Sequence, residues 1–314
     1  MNYRRLSNSG IKLSEIGLGG WLTFTAMEIE QGRAVMEKAF ELGINFFDTA
    51  DGYGRGKCEE VWGDLLQSHK RSDYVLATKV FFPVGDGVND KGLSRKHVME
   101  ACHGSLKRLR TDYIDIYQCH RFDEETPVEE TVRAMDDLVR QGKVLYWGFS
   151  EWTAEQIEKA LRVCGDKYYK PQSSQPRYHL LSRDTEAKIF PLCARAGIGQ
   201  VTFSPLAQGV LTGKYKPGQP LPDDSRAADE KQNQFIKRYI DDRDILERVQ
   251  RLAPIARDAG CTIAQLAIAW ILRRPEVTSC IVGATKTAQL EHNVGASGIK
   301  LNEDIVRRIE DVFA

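Results

Sequence analysis

Short runs of β-favouring residues recur along the chain, and most are followed by a stretch whose apolar positions repeat at helical spacing. The runs are Glu15–Gly19, Ile44–Asp48, Tyr74–Lys79, Tyr113–Cys119, Val144–Phe149, Gln172–Gln175, Ile198–Phe203 and Thr278–Val282. The helical pattern predicts helices at Gln31–Leu42, Ser94–Leu109, Val128–Arg140, Ala154–Val163 and Thr185–Ala196. Ser94 and Thr153 stand as N-caps, and Gly43, Gly142 and Gly197 stand where helices end. Eight strand-then-helix units predict an α/β fold, a (β/α)8 TIM barrel formed as a single domain over residues 1–314. An open dinucleotide-binding sheet calls for GxGxxG after the first strand, and Gly17-Leu-Gly-Gly-Trp21 lacks the third glycine. Alternating segments at Tyr3–Leu6 and Ile11–Leu13 predict an N-terminal β-hairpin that caps one end of the barrel. The polar stretch from Thr212 to Lys237, after the seventh strand, predicts a long loop acting as a lid or binding loop.

Composition narrows the function classes. With 42% apolar and 28% charged residues the chain is able to bury a large core. Lys plus Arg and Asp plus Glu both number 44, so no net field draws the chain to nucleic acid or an anionic membrane. The apolar run Ile263–Leu272, broken at Gln265, is about half of the ~20 residues a bilayer crossing requires. No signal-like apolar segment follows Arg4-Arg5, so a cytoplasmic location is expected. Seven scattered cysteines without a close pair read as reduced packing residues, with a redox role for Cys119 left as an alternative. The acidic clusters Asp223-Asp224 and Asp241 to Asp244 read as loop or cap charge, not as a metal site.

The C-terminal ends of barrel strands form one rim, where polar residues far apart in sequence meet. Asp48 ends the second predicted strand, Lys79 ends the third, His120 follows the fourth, and Tyr53 lies five residues beyond Asp48. Each has an ordinary structural role when taken alone; their convergence is what points to chemistry. A lysine ammonium beside a phenol favours the phenolate, and an aspartate partner keeps that lysine charged and oriented. Tyr53 then serves as general acid toward a carbonyl oxygen and His120 as a second donor. The set does not suit acyl transfer, and zinc hydrolysis finds only two good ligands, Asp48 and His120. No metal is expected. A Schiff-base aldolase using Lys79 is a further alternative.

The chain resembles the aldo-keto reductase superfamily along essentially its whole length. The resemblance lies in Gly43-Ile-Asn-Phe-Phe-Asp48-Thr-Ala-Asp-Gly-Tyr53-Gly, in Ala77-Thr-Lys79, and in Leu109-Arg-Thr-Asp-Tyr-Ile-Asp-Ile-Tyr-Gln-Cys-His120. It implies catalytic roles for Asp48, Tyr53, Lys79 and His120 and a nicotinamide cofactor across the rim. Phe203 would stack on the nicotinamide, Ser150 and Gln175 would bond its carboxamide, and Ser204, Pro205, Leu206 and Gly209 would approach the pyrophosphate. Gly283, Thr285, Lys286, Gln289 and Asn293 match the segment that holds the adenosine half, and Lys214 and Arg226 supply charge for phosphates. Trp21 and Phe82 are expected in the substrate pocket.

The run Ser204-Pro-Leu-Ala continuing to Gly213-Lys-Tyr resembles most closely the branch with potassium-channel beta subunits and their bacterial relatives. Glu151, Gln289, Gly283 and His292 depart from residues common elsewhere in the superfamily. NADP(H) is the favoured cofactor and NAD(H) the alternative. The implied activity is NAD(P)(H)-dependent carbonyl reduction, or its reverse, on a small-molecule carbonyl or sugar. The alternative is a slow-turnover, nucleotide-binding regulatory subunit, and a homo-oligomer is possible in either case.

Overall fold

A computed structural model describes residues 1–223, 225–229 and 233–314. Two short strands, β1 (Tyr3–Arg5) and β2 (Lys12–Ser14), form an antiparallel hairpin. Eight parallel strands follow: β3 (Ile16–Gly19), β4 (Phe46–Asp48), β5 (Val75–Val80), β6 (Ile114–Cys119), β7 (Val144–Ser150), β8 (Ser173–Gln175), β9 (Gly199–Phe203) and β10 (Val277–Val282). They pair in chain order, and β10 closes on β3, making the barrel that the strand count predicts.

Around it run α1 (Ile29–Glu41), α2 (Lys57–Leu65), α3 (Arg95–Leu109), α4 (Val128–Arg140), α5 (Ala154–Cys164), α6 (Ile189–Ala196), α7 (Lys237–Ile240), α8 (Arg243–Asp258), α9 (Ile263–Leu272), α10 (Thr287–Val294) and α11 (Glu303–Phe313). Ser94 and Thr153 cap α3 and α5 through their side chains, and Asp242 caps α8. Gly43, Gly142 and Gly197 adopt the left-handed backbone expected just past a helix end. The expected helix from Thr185 begins instead at Ile189, because residues Asp184–Glu186 form a separate 3-10 turn.

Alternation along the strands sorts the core. Phe46, Val75, Ala77, Ile116 and Val201 fill the barrel interior, while Phe47 and Leu76 pack outward beneath helices. That phase sets Asp48 and Lys79 on the inward side at the strand ends, one layer above Phe46 and Ala77. Leu6 and Leu13 of the hairpin join the interior cluster and plug its lower end. A Cβ on Gly199 would lie 2.7 Å from Leu6 Cδ1, so the plug requires glycine there. Among the described residues no single helix is long and apolar enough to cross a membrane. The apolar α9 is almost wholly buried in the core.

The loop after β9 is long, as expected. It runs through the 3-10 segment Ala207–Thr212 and the turn Asn233–Phe235 before α7. Asp224 and residues 230–232, which belong to the expected lid and acidic cluster, lie outside the described residues.

Candidate active site

Lys79 is fully buried, and its Nζ is held by three oxygens: Asp48 Oδ2 at 2.7 Å, the Thr49 carbonyl at 2.7 Å and the Tyr53 hydroxyl at 3.2 Å. Asp48 uses its other oxygen to accept from Gln175 Nε2 at 2.8 Å. The His120 ring stands edge-on to Tyr53, centroids 5.6 Å apart, and to Phe82 at 4.9 Å. The four residues singled out from the sequence therefore meet at one point of the rim. Gln175 joins them as the second partner of Asp48, a link that spacing 127 residues away did not reveal.

Burial and charge act against each other here. Burial alone lowers the Lys79 pKa, but Asp48 and Tyr53 raise it further, leaving an ammonium. Burial pushes the Tyr53 phenol above its ordinary value and outweighs the opposing pull of Lys79. The expected acidification of Tyr53 is thus reversed in net, because the hydroxyl is desolvated together with the lysine. His120 is held well below the ordinary imidazole range, first by burial and then by Lys79 and Arg121, so the ring is neutral. A protonated phenol beside a neutral imidazole offers two hydrogen-bond donors to an incoming oxygen.

Behind Lys79 lies a second buried network. Glu59 is fully buried and accepts from Thr78 Oγ1 at 2.5 Å and Arg108 Nε at 2.7 Å. Asp51 is also fully buried, and neither of its carboxyl oxygens has a hydrogen-bond partner. Burial, reinforced by the Glu59 charge, raises its pKa well above the carboxylate range. Asp115 is structural, bridging Arg71 and the Leu76 amide.

The rim opens into a cavity of about 1000 Å³. Asp48, Tyr53, His120, Ser150, Gln175 and Phe203 line one end, with Trp21 and Phe82 beside them. Ser204, Pro205, Leu206 and Gly209 continue the wall, joined by Lys214 and Arg226. Gly283, Thr285, Gln289 and Asn293 form the far end. Lys286 is not on the wall: it is the N-cap of α10, and its backbone N–H donates to Gln289 Oε1. Gln289 is likewise occupied in part, accepting from the Thr285 amide at 2.8 Å. The Ser150 hydroxyl donates to the Gln175 carbonyl at 2.8 Å.

Sequence patterns missed other wall residues, among them Arg177, His179, Phe235 and Arg238. Phe235, from the lid, packs on Trp21 with ring centroids 5.2 Å apart. Nothing in the local sequence signals that contact. The loop after β9 holds Ser204, Ala207 and Gln208 at positive φ ahead of Gly209, a concentration of strained backbone typical of functional loops. Cys119 is fully buried and its thiol is pushed above its ordinary value by burial, which removes the basis for a redox role. Among the described residues there is no cluster of three or more groups able to hold a metal ion.

The model of the aldo/keto reductase family matches residues 15–314. The chain belongs to that family. Among curated relatives of this aldo/keto reductase is a probable voltage-gated potassium channel subunit beta from Oryza sativa subsp. japonica, 44% identical over 99% of this chain and 96% of that protein. A probable subunit of the same kind from Arabidopsis thaliana is 42% identical over 100% and 97%. A putative one from Schizosaccharomyces pombe is 40% identical over 99% and 93%. The sequence resemblance and the family match agree, and the barrel of this aldo/keto reductase is the fold the resemblance implied.

Proposed function

We propose that the chain is a single-domain NAD(P)(H)-dependent oxidoreductase that interconverts a carbonyl compound and its alcohol. The observation that carries this is the Lys79 ammonium, held between Asp48 and the Tyr53 hydroxyl at the floor of the cavity, beside a neutral His120. The cavity residues fit a nicotinamide nucleotide. With Gln175 Nε2 given to Asp48 and the Ser150 proton given to a carbonyl, Gln175 Oε1 and Ser150 Oγ remain as acceptors, which suits the two N–H groups of a carboxamide. Phe203 would cover the ring, the Ser204 to Gly209 loop would face the pyrophosphate, and Thr285, Gln289 and Asn293 would flank the adenosine. Bound there, the reduced nicotinamide supplies the hydride.

The protein's own part is proton transfer and positioning. Tyr53 and His120 orient the substrate oxygen, and Tyr53 delivers the proton as negative charge develops on that oxygen. Lys79 stabilises the resulting phenolate, and Asp48 with Gln175 keeps the ammonium aimed at it. In the alcohol-oxidising direction the same phenolate takes the proton back. Lys214 and Arg226 favour NADP(H) over NAD(H); Lys286, away from the wall, adds less than the sequence suggested. Tyr53→Phe tests the acid: turnover on an aldehyde panel falls at least a thousandfold while NADPH still quenches tryptophan fluorescence, and retained turnover refutes the role.

The relatives are named as channel subunits, which favours docking on a channel in a second reading of this chain, a nucleotide-binding regulatory subunit with slow turnover. Rates decide between the two: turnover below ~1 s⁻¹ on every carbonyl and sugar tried favours the regulatory role.

A further inference from the structure

We propose that Arg177, His179 and Arg238 form an anion-binding subsite in the rim cavity, so that the carbonyl substrate of the reaction proposed above carries a carboxylate or phosphate group. The inference rests on that reading for the reaction, but the subsite stands on its own geometry. His179 is fully buried on the cavity wall. Its Nδ1 accepts from the Leu181 amide at 3.1 Å, so the neutral ring carries its proton on Nε2, a buried donor with no hydrogen-bond partner. Arg177 Nε is also buried and unpartnered. The acid beside it, Glu151, accepts from the Arg177 backbone amide at 2.8 Å and makes no ion pair with its guanidinium.

Arg238 completes the group. Its Nη2 donates to the Tyr239 hydroxyl at 2.6 Å, its guanidinium lies 4.6 Å from the Tyr239 ring centroid, and that ring stands 6.1 Å from His179. Burial, then the charges of Arg177 and Arg238, hold the His179 pKa down to about 3, which reflects two cations close to a ring that stays neutral. Neither arginine has a carboxylate partner within ion-pair distance among the described residues. The remaining acids on the wall are Asp48, engaged by Lys79 and Gln175, and Asp223 and Asp229 on the long loop.

Unpartnered buried donors beside unpaired guanidiniums are costly unless an anion satisfies them. The cofactor's phosphates are matched elsewhere, by the loop after β9 with Lys214 and Arg226. Arg177 lies two residues beyond Gln175 and bridges to Phe203, so its cluster borders the end of the cavity where Tyr53 and His120 stand. One molecule presenting its carbonyl to Tyr53 and an acidic group to this cluster satisfies both.

The test compares matched aldehydes: butanal against succinic semialdehyde for a carboxylate, and glyceraldehyde against glyceraldehyde 3-phosphate for a phosphate. The expected result is a kcat/KM at least tenfold higher for the charged member of one pair, and the preferred pair identifies the group. Arg177→Gln and Arg238→Gln should reduce that preference to under threefold without changing the rate on the neutral aldehyde or the affinity for NADPH. Arg238 is exposed on α7, so its variant leaves the core intact. Equal rates in both wild-type pairs, an equal loss on charged and neutral substrates, or weakened NADPH binding would overturn the proposal. If no aldehyde turns over, the reaction assignment fails, and calorimetric titration with inorganic phosphate and succinate tests the subsite separately. Binding by the wild type that weakens at least tenfold in both variants sustains it, and absence of binding overturns it.

Discussion

Lys79→Met removes the ammonium while keeping an unbranched apolar side chain in its place. The Lys79 side chain is 0% exposed and the Asp48 side chain 5%, with 2.7 Å between the charged atoms. At an effective dielectric of about 20 their attraction is about 6 kcal/mol, much of it offset by the desolvation of both ions. The substitution strands Asp48 in the barrel mouth with Gln175 as its one remaining side-chain partner. Breaking a buried pair in this way costs about 3–5 kcal/mol. Unfolding entropy for a chain of 314 residues is roughly 0.7 kcal/mol per kelvin, so the melting temperature should fall by roughly 4–7 °C. Asp48→Asn strands the cation instead and should cost a similar amount. The double variant carries neither charge and should be more stable than the sum of the single losses predicts, with a coupling of roughly 2 kcal/mol or more. Scanning calorimetry and urea titration of the three variants measure the cycle. Single losses below ~1 kcal/mol that simply add would show that the ion pair does not hold the site together.

Two further outcomes follow from the buried acids and the phenol. Burial raises the Asp51 pKa in the fold above its unfolded value, so its penalty is absent at low pH and grows as pH rises above the ordinary carboxylate pKa. Asp51→Asn should therefore raise the urea midpoint at neutral pH and leave it unchanged near about pH 4; a lower midpoint at both would mean the carboxyl is partnered. With the Tyr53 phenol raised and His120 neutral, carbonyl reduction should stay level between about pH 6 and 8, while alcohol oxidation climbs toward alkaline pH as the phenolate forms. Stopped-flow rates in both directions check this, and a reduction rate that falls across that range would contradict the protonation states.

Much of the architecture was legible because it depends on local periodicity. Eight β-rich runs alternating with helical stretches dictate a barrel, and a strand end followed by a polar residue marks its rim, so Asp48, Tyr53, Lys79 and His120 are identifiable from the sequence. Helix caps at Ser94 and Thr153 were equally plain, since a cap is a contact over three residues. Tertiary structure alone decided the rest, because it depends on distances between segments remote in sequence. Gln175 reaches Asp48 only when β8 lies across the barrel from β4. The direction of the Tyr53 shift followed from how completely the barrel mouth is desolvated, which residue types do not encode. Lys286 stands at the N-cap of α10, where its backbone N–H donates to Gln289 Oε1. Arg177, His179 and Arg238 look like ordinary surface residues in the sequence; the turn beyond β8 and the start of α7 bring them together, and only the surrounding packing leaves Arg177 Nε and His179 Nε2 without partners.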